Sequence, residues 1–320
     1  MIVGNTFDDI FFQLVEGISE RPQFVSSPRG QKVKESLVVT LALENPRARL
    51  LTSPARKADY GFAVGEFLWY WNGHQDLETL LYYNKRAKDF SNDGVTVNSA
   101  YGYRLRQRQI FAGVDTERGI GMSQWDTCAL TLNQDPDSRR AVMLINLPED
   151  EREALIASKD VPCTLSLQFF IRDNKLDLHV LMRSNDVMWG LTYDLFSFTL
   201  FQECMLLHLQ QWDKFKTLEL GTYYHTAGSM HIYERHFETA QQIVKEYMGM
   251  RRDDLEPPME PIQSLACLNE LSFIERCLRL KDTMPTDYVL DCPTTWMMER
   301  LQEHRLKRSK QALAAMGGKE

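Results

Sequence analysis

The run WGLTYDLFSFTLF, Trp189–Phe201, constrains the fold more than any other stretch. It is almost wholly apolar, holds a single carboxylate, Asp194, and continues in kind to Leu209. The spacing predicts a long buried helix over 195–209. Burying a lone carboxylate is costly unless it is paired or neutralised. Taken by itself, Asp194 reads as the N-cap of that helix, because Asp is among the best capping residues and an apolar run follows it.

A chain of 320 residues accommodates one large domain or two modest ones. Its 43% hydrophobic and 11% aromatic content suit a globular protein with a sizeable core. The net charge of −7 argues against a generally basic surface for polymeric nucleic acid, while leaving room for a local basic pocket for a small anion. No apolar stretch is long enough to predict a membrane helix, and MIVGNTFDDIFF lacks the basic start and cleavage site of a signal peptide. The six cysteines form no CxxC pair and do not fall at zinc-ligand spacing with histidines. The expectation is a cytoplasmic protein with free thiols and no metal.

Residues 1–20 have the pattern of an amphipathic helix. A strand, a turn at Pro28–Gly30 and a second strand follow. KADYGFAVGEFLWYWNG has helical spacing and stops at Gly73. WDTCALTLNQDPDSRRAVMLINLP reads as helix, turn and strand, and CTLSLQFFIRDNKLDLHVLMRS as two strands joined at Asp173–Lys175. YYHTAGSMHIYERHFETAQQIVKEYM reads as a strand or loop feeding a helix. Composition changes at DDLEPPMEP. Residues 256–320 are expected to form a helical C-terminal extension to a catalytic domain over 1–255, with the charge alternation of a solvated helix.

Three stretches carry candidate chemistry. Cys163, in VPCTLSLQFF, reads either as a small buried apolar residue or as a thiolate nucleophile, which needs nearby cations to lower its pKa. Arg139 and Arg140, in DPDSRR, either face solvent or clamp a phosphate bidentately. Arg183 and Ser184, in MRSNDVMWGLTYD, are placed to bind the same phosphate.

In this order and spacing the chain resembles the thymidylate synthase family. Cys163 and Arg183 lie twenty residues apart, as that family's nucleophile and phosphate-binding arginine do. QFFI resembles its QF-aromatic strand. RSNDVMWGLTYD matches its R-S-x-D-x-x-x-G-x-x-x-N motif except at the last residue, and HTAGSMHIYERH matches its H-x-x-G-D-x-H-x-Y-x-N-H segment with Ser229 and Arg235 substituted. GEFLWYWNG matches the helix carrying the family's catalytic glutamate, here Glu66.

The resemblance implies an α/β (α+β) fold, a twisted mixed sheet flanked by helices, and a homodimer formed sheet to sheet with shared sites. It implies methylenetetrahydrofolate as co-substrate and a pyrimidine nucleoside monophosphate as substrate. Cys163 would attack C6 of the base. Arg183, Ser184 and Arg29 would bind the phosphate, with Arg139 and Arg140 reaching it from the partner subunit. His231 and Tyr233 would hold the sugar 3′-hydroxyl, and Tyr101 would stand near the thiol. Asp186 would bond the pterin, with Gly190 and Phe90 also on the folate side. Glu66 would organise water and proton transfer.

The departures point to the substrate. Where synthases carry an asparagine that reads uracil, this chain has Asp194. A protonated carboxylic acid donates to the N3 of cytosine and accepts from its 4-amino group, and burial favours the neutral form. The same replacement occurs in the deoxycytidylate hydroxymethylases of T-even phages, which the Thr164 after the nucleophile and Ser229 also resemble. No tryptophan stands in His74–Ala100, where synthases shield the reaction intermediate, and Phe90 is the nearest large candidate. The family's C-terminal lid sequence is absent, although the helical tail offers another source of a lid. Both losses suit water entry. The expected activity is therefore 5-hydroxymethylation of a cytidylate, dCMP before CMP. The alternatives are a CMP enzyme of antibiotic or antivitamin biosynthesis, a divergent thymidylate synthase or dUMP hydroxymethylase, and a non-catalytic nucleotide-binding protein.

Overall fold

The computed structural model describes residues 1–107, 109–110, 121–150, 158, 160–284 and 287–317. Strand β1 (Ile2–Gly4) precedes helix α1 (Phe7–Glu20), so the amphipathic N-terminal segment is a strand and then a helix. The helix starts at Phe7 because Thr6 and Asp9 form a capping box, each side chain bonding the other's backbone N–H at 3.1 Å. Strands β2 (Phe24–Ser26) and β3 (Val33–Leu43) flank the turn at Pro28–Gly30. Helices α2 (Tyr60–Trp71) and α3 (Leu77–Tyr83) begin at Asp59 and Asp76, whose carboxylates accept from the third residue of each helix.

A short hairpin of β4 (Gln109–Ile110) and β5 (Met122–Ser123) leads into α4 (Gln124–Gln134), then β6 (Val142–Leu144). Strands β7 (Thr164–Arg172) and β8 (Lys175–Met182) are joined by Asp173 and Asn174, both with left-handed backbone (φ 48° and 57°), the geometry that suits a two-residue hairpin. Strand β9 (Asn185–Asp186), helix α5 (Gly190–Leu209), strand β10 (Glu219–Tyr233) and helices α6 (Phe237–Gly249), α7 (Leu265–Leu280) and α8 (Cys292–Gly317) complete the order.

One eight-stranded mixed sheet organises the molecule, in the order β1-β3-β10-β8-β7-β6, with β2 added to β3 and β9 to β10. Strand β10 runs antiparallel to β3 and parallel to β8 and β9. It therefore delivers His231 directly opposite both Glu35 and Asp186. Alternation along the strands divides the sheet into two faces. Leu167, Phe169, Leu178, Val180, Tyr223 and Ala227 are buried, while Phe170, His179, Leu181, Tyr224 and Thr226 are only half-buried.

Helix α5 is apolar around nearly its whole circumference, as its sequence requires, and lies in the centre of the core. It begins at Gly190, five residues before the expected start. The N-cap position belongs to Trp189, which makes no side-chain capping bond, and Asp194 lies inside the helix. The capping role expected of Asp194 is therefore not what the structure contains.

The C-terminal helices dock on the body. Met297, Leu301 and His304 of α8 are buried, whereas Leu306 and Leu313 on its outer side are exposed. The principal neighbour of α8 is α2. A Cβ added at Gly61 of α2 would stand 2.5 Å from the His304 Cβ and 2.7 Å from the Arg300 carbonyl, so the two helices touch almost backbone to backbone. His304 Nδ1 lies 3.4 Å from Asp59, the cap of α2.

Candidate active site

Cys163 stands at the mouth of β7, where several segments meet. The Tyr101 hydroxyl accepts from the backbone N–H of Cys163 and of Thr164, at 3.3 and 3.4 Å. Arg183, at the end of β8, donates its backbone N–H to the Cys163 carbonyl at 2.9 Å. Its Nε donates to the Pro162 carbonyl at 2.9 Å and its Nη2 to the Val161 carbonyl at 3.1 Å. One guanidinium thus fastens the loop that presents the thiol. Burial pushes the Cys163 thiol up, and Asp194 adds to this. Arg183 and Arg29 pull it down without overcoming burial, so the thiol keeps its proton at neutral pH.

Asp194 and Glu66 face the same enclosure from α5 and α2. Burial pushes the Asp194 carboxyl up to about 7, although Nδ2 of Asn185 donates to its Oδ2 at 2.7 Å. Burial, followed by the neighbouring Asp194, pushes Glu66 up to about 8, against a hydrogen bond from Tyr70. Tyr70, one helical turn beyond Glu66, stacks on Tyr101 with centroids 5.4 Å apart, and Tyr101 stacks in turn on Phe198 at 6.3 Å. A column of rings therefore links the glutamate helix to the thiol. Sequence reasoning missed Tyr70. Its position four residues after Glu66, on the same helical face, was the available signal.

A second group lies along β10. The His231 and Tyr233 rings meet edge to face at 4.9 Å. Burial holds His231 below the usual imidazole range, with Asp186 and Glu35 opposing. Ser229 donates to Oε2 of Glu35 and Ser26 to its Oε1, each at 2.6 Å, and these bonds hold the Glu35 carboxyl low. Asp186 accepts from the Met188 N–H at 3.0 Å. Ser184 is half-buried between Arg183 and Asn185.

The remaining residues are less gathered. Arg29 is exposed on its turn with left-handed backbone (φ 52°), yet near enough to act on Cys163. Arg139 and Arg140 are exposed just before β6 and are not among the charges that act on Cys163 within one chain.

Beside Glu66 opens a cleft of about 130 Å³, lined by Phe62, Glu66, Leu80, Asn84, Ala87, Phe90, Val97 and Trp189. Phe90 is one of its walls. Trp189 was missed as a cleft residue, although it stands next to Gly190 in the quoted motif. It packs on Tyr193 and Phe62 at 5.2 and 6.1 Å, and Arg56 lies 5.6 Å from its ring. The absence of tryptophan from His74–Ala100 therefore does not leave the cleft without one. Among the described residues the lining runs no further than Trp189, and the tail helix α8 packs chiefly on α2. The mostly apolar lining suits an aromatic ligand, with Glu66 as the ionisable group. Among the described residues no cluster of His, Cys, Asp and Glu is arranged to hold a metal, and no helix is long and apolar enough to cross a membrane.

Comparison with known proteins bears on the family and the fold. The model of the family described as thymidylate synthase matches residues 10–260. The chain is 32% identical over 289 residues to a deoxyuridylate hydroxymethyltransferase of Bacillus phage SP01, covering 82% of this chain and 70% of that one. It is 31% identical over 142 residues to the deoxycytidylate 5-hydroxymethyltransferase of Enterobacteria phage T4, covering 44% and 53%. The fold is similar to that of thermostable thymidylate synthase A from Bacillus subtilis, with a TM-score of 0.60 at 22% identity over 75% of this chain and 84% of that one.

Proposed function

The chain belongs to the thymidylate synthase family of one-carbon transferases, which use methylenetetrahydrofolate as co-substrate, and from that premise we propose that it is a cytidylate 5-hydroxymethylase acting on dCMP before CMP. The observation that carries the reading is Asp194. It occupies the place of the synthases' uracil-reading asparagine, and its enclosure pushes its carboxyl up to about 7. A neutral acid there donates through one oxygen and accepts through the other, which complements cytosine and not uracil.

The other residues have consistent parts. Cys163 adds to C6 of the base through the small thiolate fraction that remains after its proton passes to solvent, and the C5–C6 π pair moves onto C5 as the sulfur–carbon bond forms. The substrate phosphate, Arg183 and Arg29 gather at the same end of the site, and the Arg183 ties to Pro162 and Val161 hold the sulfur in place. His231, neutral at pH 7, and Tyr233 bond the 3′-hydroxyl. Glu66, protonated up to about pH 8 and bonded by Tyr70, holds the proton and orients the water that ends as the new hydroxyl. The bound folate supplies the one-carbon unit. Asp186, Gly190 and Phe90 line its side of the site. The half-buried sheet face bearing Phe170, Leu181 and Tyr224 is the surface for a homodimer, in which Arg139 and Arg140 reach the partner's phosphate site.

A second reading, dUMP hydroxymethylation, is favoured by the similarity to the phage SP01 protein. An ionised Asp194 accepting from the N3–H of uracil would serve it. Incubation with methylenetetrahydrofolate and each of CMP, dCMP, UMP and dUMP separates the readings by mass spectrometry. A gain of CH₂O on dCMP supports the proposal. The same gain on dUMP alone selects the second reading, and a gain of CH₂ selects a synthase. Cys163→Ala should abolish all products, and residual turnover would remove Cys163 as the nucleophile.

A further inference from the structure

Asp194 does not meet the site alone. Asn185 on β9 is 3% exposed, and its Nδ2 donates to Oδ2 of Asp194 at 2.7 Å. Its backbone is pinned by pairing with Met230 of β10. Gly190 closes the pair from the side, since a Cβ there would stand 3.0 Å from Nδ2 and 3.4 Å from Oδ2. The amide oxygen of Asn185 is buried with no hydrogen-bond partner among the described residues. A buried acceptor without a partner is costly, and a ligand that supplies a hydrogen there recovers the cost.

We propose that Asn185 is a specificity-determining positioning residue, whose amide fixes which oxygen of Asp194 carries the proton and so favours a 4-amino pyrimidine over a 4-oxo one. The inference rests on the reading of Asp194 as the base-reading group. An Oδ2 that already accepts from the Asn185 N–H is the poorer place for a proton, because the two hydrogens would confront each other. The acid proton therefore resides on Oδ1. Oδ1–H then donates to a ring nitrogen that lacks a hydrogen, while Oδ2 and the unpartnered Asn185 oxygen remain as acceptors for an exocyclic amine. A 4-oxo pyrimidine presents the reverse pattern, N–H and then C=O, and meets a donor with a donor.

The test is the ratio of dCMP to dUMP binding, measured by calorimetry, and the matching kcat/KM ratio, in the full chain and in Asn185→Leu and Asn185→Ala. Both variants remove the amide, one keeping its branched shape and one not, so either folded variant suffices. The expected result is a fall in the dCMP-to-dUMP ratio of about 10–100-fold, through weaker dCMP binding. Asp194 shares its enclosure with Glu66, Tyr70, Tyr101, Tyr223 and Cys163, with Asp186 close by. Removing the amide leaves that set intact but withdraws the bond that favours the carboxylate, so the pH above which dCMP binding falls should move upward. A wild-type preference for dUMP overturns the base-reading assignment and this inference together. A wild-type preference for dCMP with an unchanged ratio in the variants, or an equal loss for both nucleotides, overturns this inference alone.

Discussion

Helix α5 carries two carboxylates with opposite fates. Glu203 is 1% exposed and fully paired. Arg49 donates to it at 2.6 Å, Arg47 at 2.8 Å and the Ile262 N–H at 3.1 Å. Burial pushes it up, but Arg49 and Arg47 more than offset this and hold it below the usual carboxylate range. Asp194, nine residues earlier, has one neutral amide, and burial pushes it up to about 7. The same helix thus buries one carboxylate as an ion and holds the other as an acid. The difference lies in the partners brought by other segments: the NPRAR stretch after β3 for Glu203, and β9 for Asp194. A site that must exchange hydrogen bonds with a ligand cannot have its acid already saturated.

Glu203→Gln strains this contrast most. It leaves Arg49, itself 1% exposed, without its counter-charge, and should cost about 3–5 kcal/mol of unfolding free energy. Denaturant unfolding measures that, and an unchanged midpoint would mean the pair is decoration. The nucleotide preference of the folded fraction should not move. Asp194→Asn should do the reverse, moving the dCMP-to-dUMP preference toward dUMP by about 100-fold, or ~2.7 kcal/mol. Unchanged cytosine preference in steady-state kinetics would remove Asp194 as the base reader.

The two groups should also give opposite pH slopes. Between the unfolded carboxylate value near 4 and about 7, native Asp194 keeps a proton that the unfolded chain has released. Its contribution to stability therefore falls as pH rises through that window. Glu203, held low, contributes above its unfolded value and loses that contribution on acidification. Thermal melts of Asp194→Asn against wild type should show the variant gaining on wild type from pH 4 to pH 8. A difference independent of pH would refute the raised carboxyl. The smallest effect is Arg47→Ala. Its side chain is 28% exposed and Arg49 remains on Glu203, so the expected cost is about 1 kcal/mol in the same denaturation assay.

Much of this contrast was readable from the sequence in part. The apolar run announced a buried helix, and the motifs about Cys163, Arg183 and Glu66 named residues that meet around the thiol and Asp194, with His231 in a second group along β10. Asp194 was marked as anomalous by its surroundings alone. What escaped reading was pairing across distant segments. No local pattern couples Arg47 and Arg49 to Glu203, because 156 and 154 residues separate them along the chain. Trp189 hid inside a motif, since its neighbours decide whether an aromatic faces core or cleft. The start of α5 was misjudged because Gly190 and Thr192 look like loop residues until burial overrides their weak helix propensity.

The close seating of α8 on α2 has a consequence in time. A ribosome releases the Glu66 helix early and the segment around His304 late. Until that stretch emerges, the face of α2 built around Gly61 lacks its α8 neighbour, and the helix that carries Glu66 rests on α3 and α5.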